Sequence, residues 1–396
     1  MQRIEGGICA VPGVRAAGVR QGKYGLALIA AAGAAAGMFT TNKVRAAPLE
    51  VTAEHLAGGH LDGVIANSGC ANAYTGPRGL EDARAMARLL ADFLATDEKK
   101  IGVASTGVIG RYTDLPLITQ LFEQAKVRLR SDGEASTEAE RAIMTTDTRV
   151  KEIAVEHEGI RVAGIVKGAG MIEPNVATML CFLYTDADFP AQTLHECLAD
   201  AVQDSFNMLT VDGDTSTNDT VLLTSTGKVK GLEADFREAL RYVCIELARM
   251  MARDGEGASK YFETVVRGAR SIEDARLAAK AVARSSLVKT AVYGADPNWG
   301  RIICAVGYSG AEMDPTKITL GLEGKSPDGS PDGRSLKVSL VENGRIVDGV
   351  LDQAKEIMKG DTITINIDLA LGNADARGFG CDLTHEYVNV NANYTT

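Results

Sequence analysis

The chain has 396 residues and a mass of 41.8 kDa, enough for two or three packed domains at roughly 150 residues each, and its 45% apolar share is that of a globular protein. Asp and Glu outnumber Lys and Arg by 52 to 42, giving a net charge of −10 and a pI near 5.2, which excludes general affinity for phosphate backbones or anionic membranes. Neither nucleic acid nor a membrane is an expected partner, and an acidic metabolite would have to be met by a few positioned cations.

The first marked feature is the run Gly25 to Phe39, GLALIAAAGAAAGMF, preceded by Arg15, Arg20 and Lys23. It imitates a signal peptide, but its charged lead is longer than twenty residues and it is rich in Ala and Gly, so it reads as core strand and turn. Val64 to Ala66 and Ile101 to Ala104 read as strands on either side of a helix in which Met86, Leu89, Leu90, Phe93 and Leu94 recur at helical spacing. Further strands are expected at Ile160 to Val166, Met179 to Tyr184, Thr220 to Thr224 and Phe262 to Arg267. Leu194, Leu198, Ala201, Val202 and Phe206 mark one helix between them, and Phe236, Leu240, Val243, Leu247 and Met251 another. Helices and strands alternate loosely, without the cadence of a doubly wound parallel sheet.

After a helix from Ile272 to Ala283 the character changes, so a boundary is expected near residue 284, with a large α/β domain over 1–283 and a smaller α/β domain over 284–396. From Leu287 onward the chain reads as strands with one late helix, Leu351 to Met358, and an alternating strand, Thr362 to Leu369. The doubled Ser-Pro-Asp-Gly from Ser326 to Gly333 is turn chemistry between strand-like Lys317 to Leu322 and Leu336 to Val341, an extended hairpin tip. Tyr387 to Tyr394 alternates apolar or small residues with polar ones, the period of a half-buried strand.

Seven scattered cysteines without a C-x-x-C pair indicate a reducing compartment, and the cytoplasm is the expected location. The five histidines form neither H-E-x-x-H nor a Cys/His cluster, so no metal is expected. Asp212 to Asp219 resembles a calcium loop until its sixth and twelfth positions, Thr217 and Leu223, where Gly and Glu are needed. No glycine-rich nucleotide loop is present.

The informative stretch is Lys167-Gly-Ala-Gly-Met-Ile-Glu-Pro-Asn-Val-Ala-Thr-Met-Leu-Cys-Phe182, where the small Ala177 precedes Thr178 at the head of an apolar strand. Two readings stand for Thr178. It is an ordinary buried hydroxyl at a strand start, or the bond before it is cut and its α-amine, with an unperturbed pKa of roughly 7.7 to 8.0, becomes the base for its own hydroxyl. The second reading needs no histidine.

The wider sequence resembles the ornithine acetyltransferase family of arginine biosynthesis bifunctional proteins. The resemblance covers essentially the whole chain and rests on Gly6-Gly7 with Gly13-Val14, Met38 to Asn42, Asn67-Ser68-Gly69, Thr106 to Gly110, Met144 to Thr148, the Lys167 to Thr178 block, Asp212 to Thr215, Asp296 to Arg301 and Gly380 to Thr384. It implies an α-β-β-α sandwich of the N-terminal-nucleophile type with a smaller C-terminal α/β domain. It also implies acetyl transfer from N-acetylornithine to glutamate without a cofactor, and self-cleavage between Ala177 and Thr178. The α and β fragments of such proteins assemble two and two, and bifunctional members also take acetyl-CoA as co-substrate. Residue by residue, Thr178 matches the nucleophile and Thr106 with Gly107 the oxyanion pair. Thr145 (or its neighbour Thr146), Lys167, Glu256, Asn391 and Thr396 match substrate contacts; on this reading the chain end belongs to the site. Cys70 and Phe379 depart from the common Asn and Trp, which touches local packing rather than chemistry. Two rivals remain: an N-terminal-nucleophile hydrolase or aminopeptidase of the same architecture, and a sensor that binds acetylornithine without turnover.

Overall fold

The computed structural model describes residues 1–173, 179–325 and 335–393. They divide into two compact units, one built from Met1–Asn207 and Asp214–Met251, the other from Met208–Gly213 and the chain after Met251. In chain order the first unit contributes β1 (Gln2–Ile4), β2 (Arg15–Gln21), β3 (Tyr24–Phe39), α1 (Ala47–Leu56), β4 (His60–Ser68), α2 (Gly76–Leu94), β5 (Ile101–Ser105), α3 (Leu115–Lys126), α4 (Gly133–Ile143), β6 (Glu152–His157), β7 (Ile160–Lys167), β8 (Leu180–Ala187) and α5 (Ala191–Gln203). After the short β9 (Leu209–Thr210) of the second unit, it continues with β10 (Thr220–Val229) and α6 (Glu233–Arg253).

Nine strands are joined in the order β1-β6-β7-β8-β10-β3-β4-β5, with β2 also on β3. The run that imitates a signal peptide is β3, and Leu26 to Ile29 within it are fully buried. Its first half pairs with β2 and β4 and its second half with β10. Between them the register shifts at Ala30/Gly33, and a Cβ on Gly33 would stand 1.7 Å from the Ser225 carbonyl oxygen, so only glycine passes this crossing.

Period-two alternation sorts the side chains into layers. Ala27, Ile29, Val64 and Ala66 from one strand group share a core with Ala163, Ile165, Phe182 and Tyr184 from the other. On the far side of the first group, Leu26, Leu28, Ile65 and Val103 pack with Met86 and Leu90 of α2 and with Leu121 and Phe122 of α3. Beyond the second group, Gly164 of β7 makes room for Val243 and Leu247 of α6. The first unit is therefore a layered α-β-β-α sandwich, as expected. Leu90 is fully buried, and its replacement by Ala would cost roughly 2–5 kcal/mol.

The second unit adds β11 (Tyr261–Ala269), α7 (Ile272–Arg284), α8 (Ser286–Tyr293), α9 (Trp299–Gly307), β12 (Thr319–Lys325), β13 (Ser335–Glu342), β14 (Arg345–Ile346), α10 (Leu351–Met358), β15 (Thr362–Asp368), β16 (Ala374–Cys381) and α11 (His385–Asn393). Its sheet runs β14-β13-β12-β15-β11-β16-β9, with α7 against Gly378 of β16.

Three expectations differ from what is found here. The boundary placed near 284 lies inside this unit, because β11 is laddered to β15 on one side and β16 on the other. Two helices, α8 and α9, occupy part of a region read as strands; Ser285 and Asn298 cap them by accepting from the N–H groups of Val288 and Arg301. The alternating Tyr387 to Tyr394 segment is helical through Asn393. The antiparallel hairpin of β12 and β13 is as expected, while its Ser326 to Gly333 tip lies outside the described residues.

Candidate active site

Within the first unit the candidate residues are set by three chain segments. The first leaves β5 and crosses the chain that leaves β4, with the Thr106 N–H donating to the Asn67 carbonyl at 3.0 Å and Thr106 bridging Cys70. Gly107 sits at φ +128°, and a Cβ there would lie 2.5 Å from the carbonyl carbon of Gly69. This close backbone approach at positive φ requires glycine. Buried amides hold the crossing: Asn67 Nδ2 donates to the Cys70 carbonyl at 3.0 Å, and Asn218 Nδ2 to the carbonyls of Ala71 at 2.6 Å and Ser105 at 2.8 Å. Cys70, in place of the family's common Asn, is buried with its Sγ 3.3 Å from the Arg111 carbonyl oxygen.

The second segment is the end of β7. Lys167 is only 8% exposed, so it is no solvated surface lysine. Its Nζ donates to Thr145 Oγ1 at 2.8 Å and to Thr106 Oγ1 at 3.4 Å. Thr106, Thr145 and Lys167 are thus brought together as one ammonium and two hydroxyls beside the Gly107 backbone. Such a cluster can attract a carboxylate or stabilise a developing oxyanion.

Sequence reasoning missed what holds this cluster. Asp147, with a fully buried side chain, accepts from the N–H groups of Thr145 at 2.9 Å and Gly168 at 2.5 Å, and lies 2.8 Å from Lys151 Nζ and 3.8 Å from Lys167 Nζ. Burial by itself would raise its pKa, but the Lys167 and Lys151 ammonium groups and these bonds outweigh it and hold the carboxyl well below the usual range. Next to it, burial pushes Glu140 up to about 9, although it accepts from the Lys151 N–H. The signal available in the sequence was the Asp147/Lys151 spacing within and just beyond the Met144 to Thr148 block.

The third segment leads toward the expected cleavage pair. Glu173 donates its N–H to the Asp214 carbonyl at 2.8 Å and accepts from Thr215 Oγ1 at 2.9 Å. The description resumes at Met179, whose carbonyl accepts from the Thr220 N–H at 2.9 Å, and Leu180 pairs with Lys167 across the antiparallel ladder. Ala177 and Thr178 lie outside the described residues, as does Thr396.

In the second unit, Asn391 Nδ2 donates to Glu256 Oε2 at 2.7 Å, and α11 docks on Gly257, where a Cβ would lie 2.4 Å from the Tyr387 nitrogen. Thr384 Oγ1 donates to the Gly257 carbonyl at 2.6 Å, so the Glu256 loop and the start of α11 are held as one piece. Phe379 is fully buried in β16. Among the described residues no cluster of three or more His, Cys, Asp or Glu could hold a metal ion, and no helix is long and apolar enough to cross a membrane.

The ArgJ family model matches residues 12–396. The glutamate N-acetyltransferase of Methanothermobacter thermautotrophicus is 50% identical over 403 residues, covering 99% of this chain and 98% of that protein. The arginine biosynthesis bifunctional protein of Archaeoglobus fulgidus is 49% identical over 387 residues, covering 98% and 99%. A crystal structure of the arginine biosynthesis bifunctional protein from Bacillus halodurans is 38% identical with a TM-score of 0.49, over 54% of this chain and 98% of that one. With relatives this similar along their whole length, the protein is an enzyme of the acyltransferase class. The chain belongs to the ArgJ family.

Proposed function

We propose that this enzyme is a glutamate N-acetyltransferase of arginine biosynthesis that moves acetyl from N-acetylornithine to glutamate through an acetyl ester on Thr178. The names of its relatives support the acceptor and the reaction, and the family resemblance supports the donor and the nucleophile. The observation that carries the reading is the Lys167 ammonium bonded to the hydroxyls of Thr145 and Thr106, on the β7 residue paired with Leu180, two residues beyond Thr178 in sequence.

In this mechanism the chain first cuts itself between Ala177 and Thr178: the Ala177 acyl group shifts from the Thr178 nitrogen to its hydroxyl, and water hydrolyses that ester to the Ala177 carboxylate, freeing hydroxyl and amine. The freed α-amine of Thr178 takes the hydroxyl proton as Oγ attacks the acetyl carbonyl carbon. Thr106 and Gly107 donate to the oxyanion that forms. Collapse breaks the amide C–N bond, and the ornithine nitrogen leaves with the proton. Glutamate's amine then attacks the ester, giving N-acetylglutamate and restoring the hydroxyl. No cofactor takes part in either half, and acetyl-CoA is a candidate donor if the enzyme is bifunctional. Lys167 meets a substrate carboxylate, with Thr145 favoured over Thr146 as its neighbour because the Thr145 hydroxyl contacts it. Glu256, Asn391 and Thr396 are assigned to substrate on the resemblance alone, as are the cytoplasmic location and an assembly of two α and two β fragments.

Incubation with N-acetylornithine and labelled glutamate tests this reading. Labelled N-acetylglutamate is expected. Free acetate would make the enzyme a hydrolase, and binding without product would make it a sensor.

A further inference from the structure

Lys167 does not stand alone as a cation. Lys151, only 1% exposed, shares the Asp147 carboxylate with it, so two buried ammonium groups meet at one buried carboxylate. Beside them stand Glu140 on α4, itself near Glu152 at the start of β6, and the Arg149 carbonyl, which accepts from Lys151 Nζ at 3.1 Å. Glu152 is occupied by the hydroxyls of Ser136 and Thr137 at 2.7 and 2.6 Å. Glu140, pushed up to about 9 by burial, is protonated at neutral pH and adds no negative charge there. Asp147 also fixes geometry, because its carboxylate ties the Thr145 N–H to the Gly168 N–H at the end of β7.

From this arrangement we propose that Asp147 is the positioning residue of the acyl-transfer site: lying between the Lys151 and Lys167 ammonium groups, it keeps Lys167 charged and aims its ammonium at Thr145 and Thr106. The inference rests on the proposed function, since it takes Lys167 as a substrate-carboxylate contact. Without the carboxylate, Lys151 and Lys167 repel each other in a medium that penalises charge, and one of them gives up its proton. Substrate binding then fades as pH rises, while the attacking groups stay in place. If Lys151 is also made neutral, the surviving charge of the cluster returns to its original value and Lys167 is protonated again.

The test compares Asp147→Asn, the double variant Asp147→Asn/Lys151→Gln and wild type, all as cleaved, folded enzyme, with KM and kcat measured from pH 6 to 9. For Asp147→Asn the expected result is a KM tenfold or more above wild type at pH 8, a smaller rise at pH 6, and kcat changed far less. The double variant is expected to recover much of the pH 8 KM. A pH-independent loss in Asp147→Asn, or a double variant worse than the single one at pH 8, overturns the proposal. If Asp147→Asn stays uncut or unfolded, 15N NMR of the lysine Nζ groups in wild type decides, with the Lys167 signal assigned by its loss in Lys167→Met. Protonation of Lys167 through pH 9 supports the proposal, and deprotonation below pH 8 overturns it. Absence of acetyl transfer in wild type would instead overturn the functional reading itself.

Discussion

Lys167 and Leu180 stand opposite each other at the end of the β7–β8 ladder. Thr178 is two residues before Leu180, so a cut in front of it would leave only a short lead before β8 enters the ladder at the Lys167 end. Denaturing mass spectrometry of active enzyme is expected to show two pieces, residues 1–177 and 178–396. Native mass spectrometry should show them together, since β8 is bonded to β7 on one side and β10 on the other. An uncut chain with full activity would rule this out.

Replacing Thr178 by Ala should abolish both cleavage and transfer, whereas Thr106→Ala should cut and then react slowly. Loss of one oxyanion donor typically costs roughly 2.7–4 kcal/mol, a drop in kcat of about a hundred- to a thousandfold. Initial rates at several glutamate concentrations should give the parallel lines of a ping-pong reaction; intersecting lines would mean direct transfer.

Much of this arrangement was legible in the chain itself. Helical spacing from Met86 to Leu94 marks the face of α2 that Met86 and Leu90 bury, and the apolar runs of β7 and β8 are where expected. Pattern failed where no face is buried. In α11 no residue is buried, so the alternation of Tyr387 to Asn393 carried no information about a core. Its asparagines instead bond back along a helix, Asn391 Nδ2 to the Tyr387 carbonyl at 3.0 Å and Asn393 Nδ2 to the Asn389 carbonyl at 2.8 Å. The Asp147/Lys151 spacing is visible in the sequence, but the link from Asp147 to the site runs through Lys167 and Gly168 at the end of β7, which are distant in sequence.

Gly107→Ala should destabilise the fold as well as the reaction. A methyl group there meets the Gly69 carbonyl carbon at 2.5 Å in a backbone conformation that L residues rarely adopt. Strain of this kind costs of order 1–3 kcal/mol. Thermal unfolding should show a lower Tm than Thr106→Ala, and equal Tm values would count against the close crossing.

The proposed assignment of Asn391 to substrate, made on the family resemblance, predicts a binding defect of a different sort. Asn391 is exposed and its removal empties no core. Asn391→Ala is expected to raise KM for acetylornithine or glutamate severalfold, with Tm within a degree or two of wild type and cleavage intact. Unchanged KM for both substrates would remove Asn391 from the site.

Stability should also carry a pH signature from Glu140. Its folded pKa, about 9, lies above the ordinary value of 4.5, so between those pH values the folded chain holds a proton that the unfolded chain has released. Stability from this group is therefore full below pH 4.5 and falls as pH rises toward 9. Asp147 acts oppositely: its depressed pKa contributes stability above the ordinary carboxylate range that is lost in acid. Glu140→Gln, a neutral stand-in for the protonated acid, should flatten the decline in urea midpoint between pH 5 and pH 8.5. A slope equal to wild type would mean that Glu140 is ionised in the fold.

The position of β8 has one more consequence. It is an interior strand, parallel to β10 and antiparallel to β7, and it carries Phe182 and Tyr184 into the shared core. While the chain is whole, β8 finds its slot as part of a single molecule. If the chain is divided before it, as proposed, the same slot must be found by two separate polypeptides, and recovery from denaturation becomes a concentration-dependent encounter that competes with aggregation of exposed strands. Maturation would then work as a ratchet: the uncut precursor can fold repeatedly, while the finished enzyme depends on never fully coming apart.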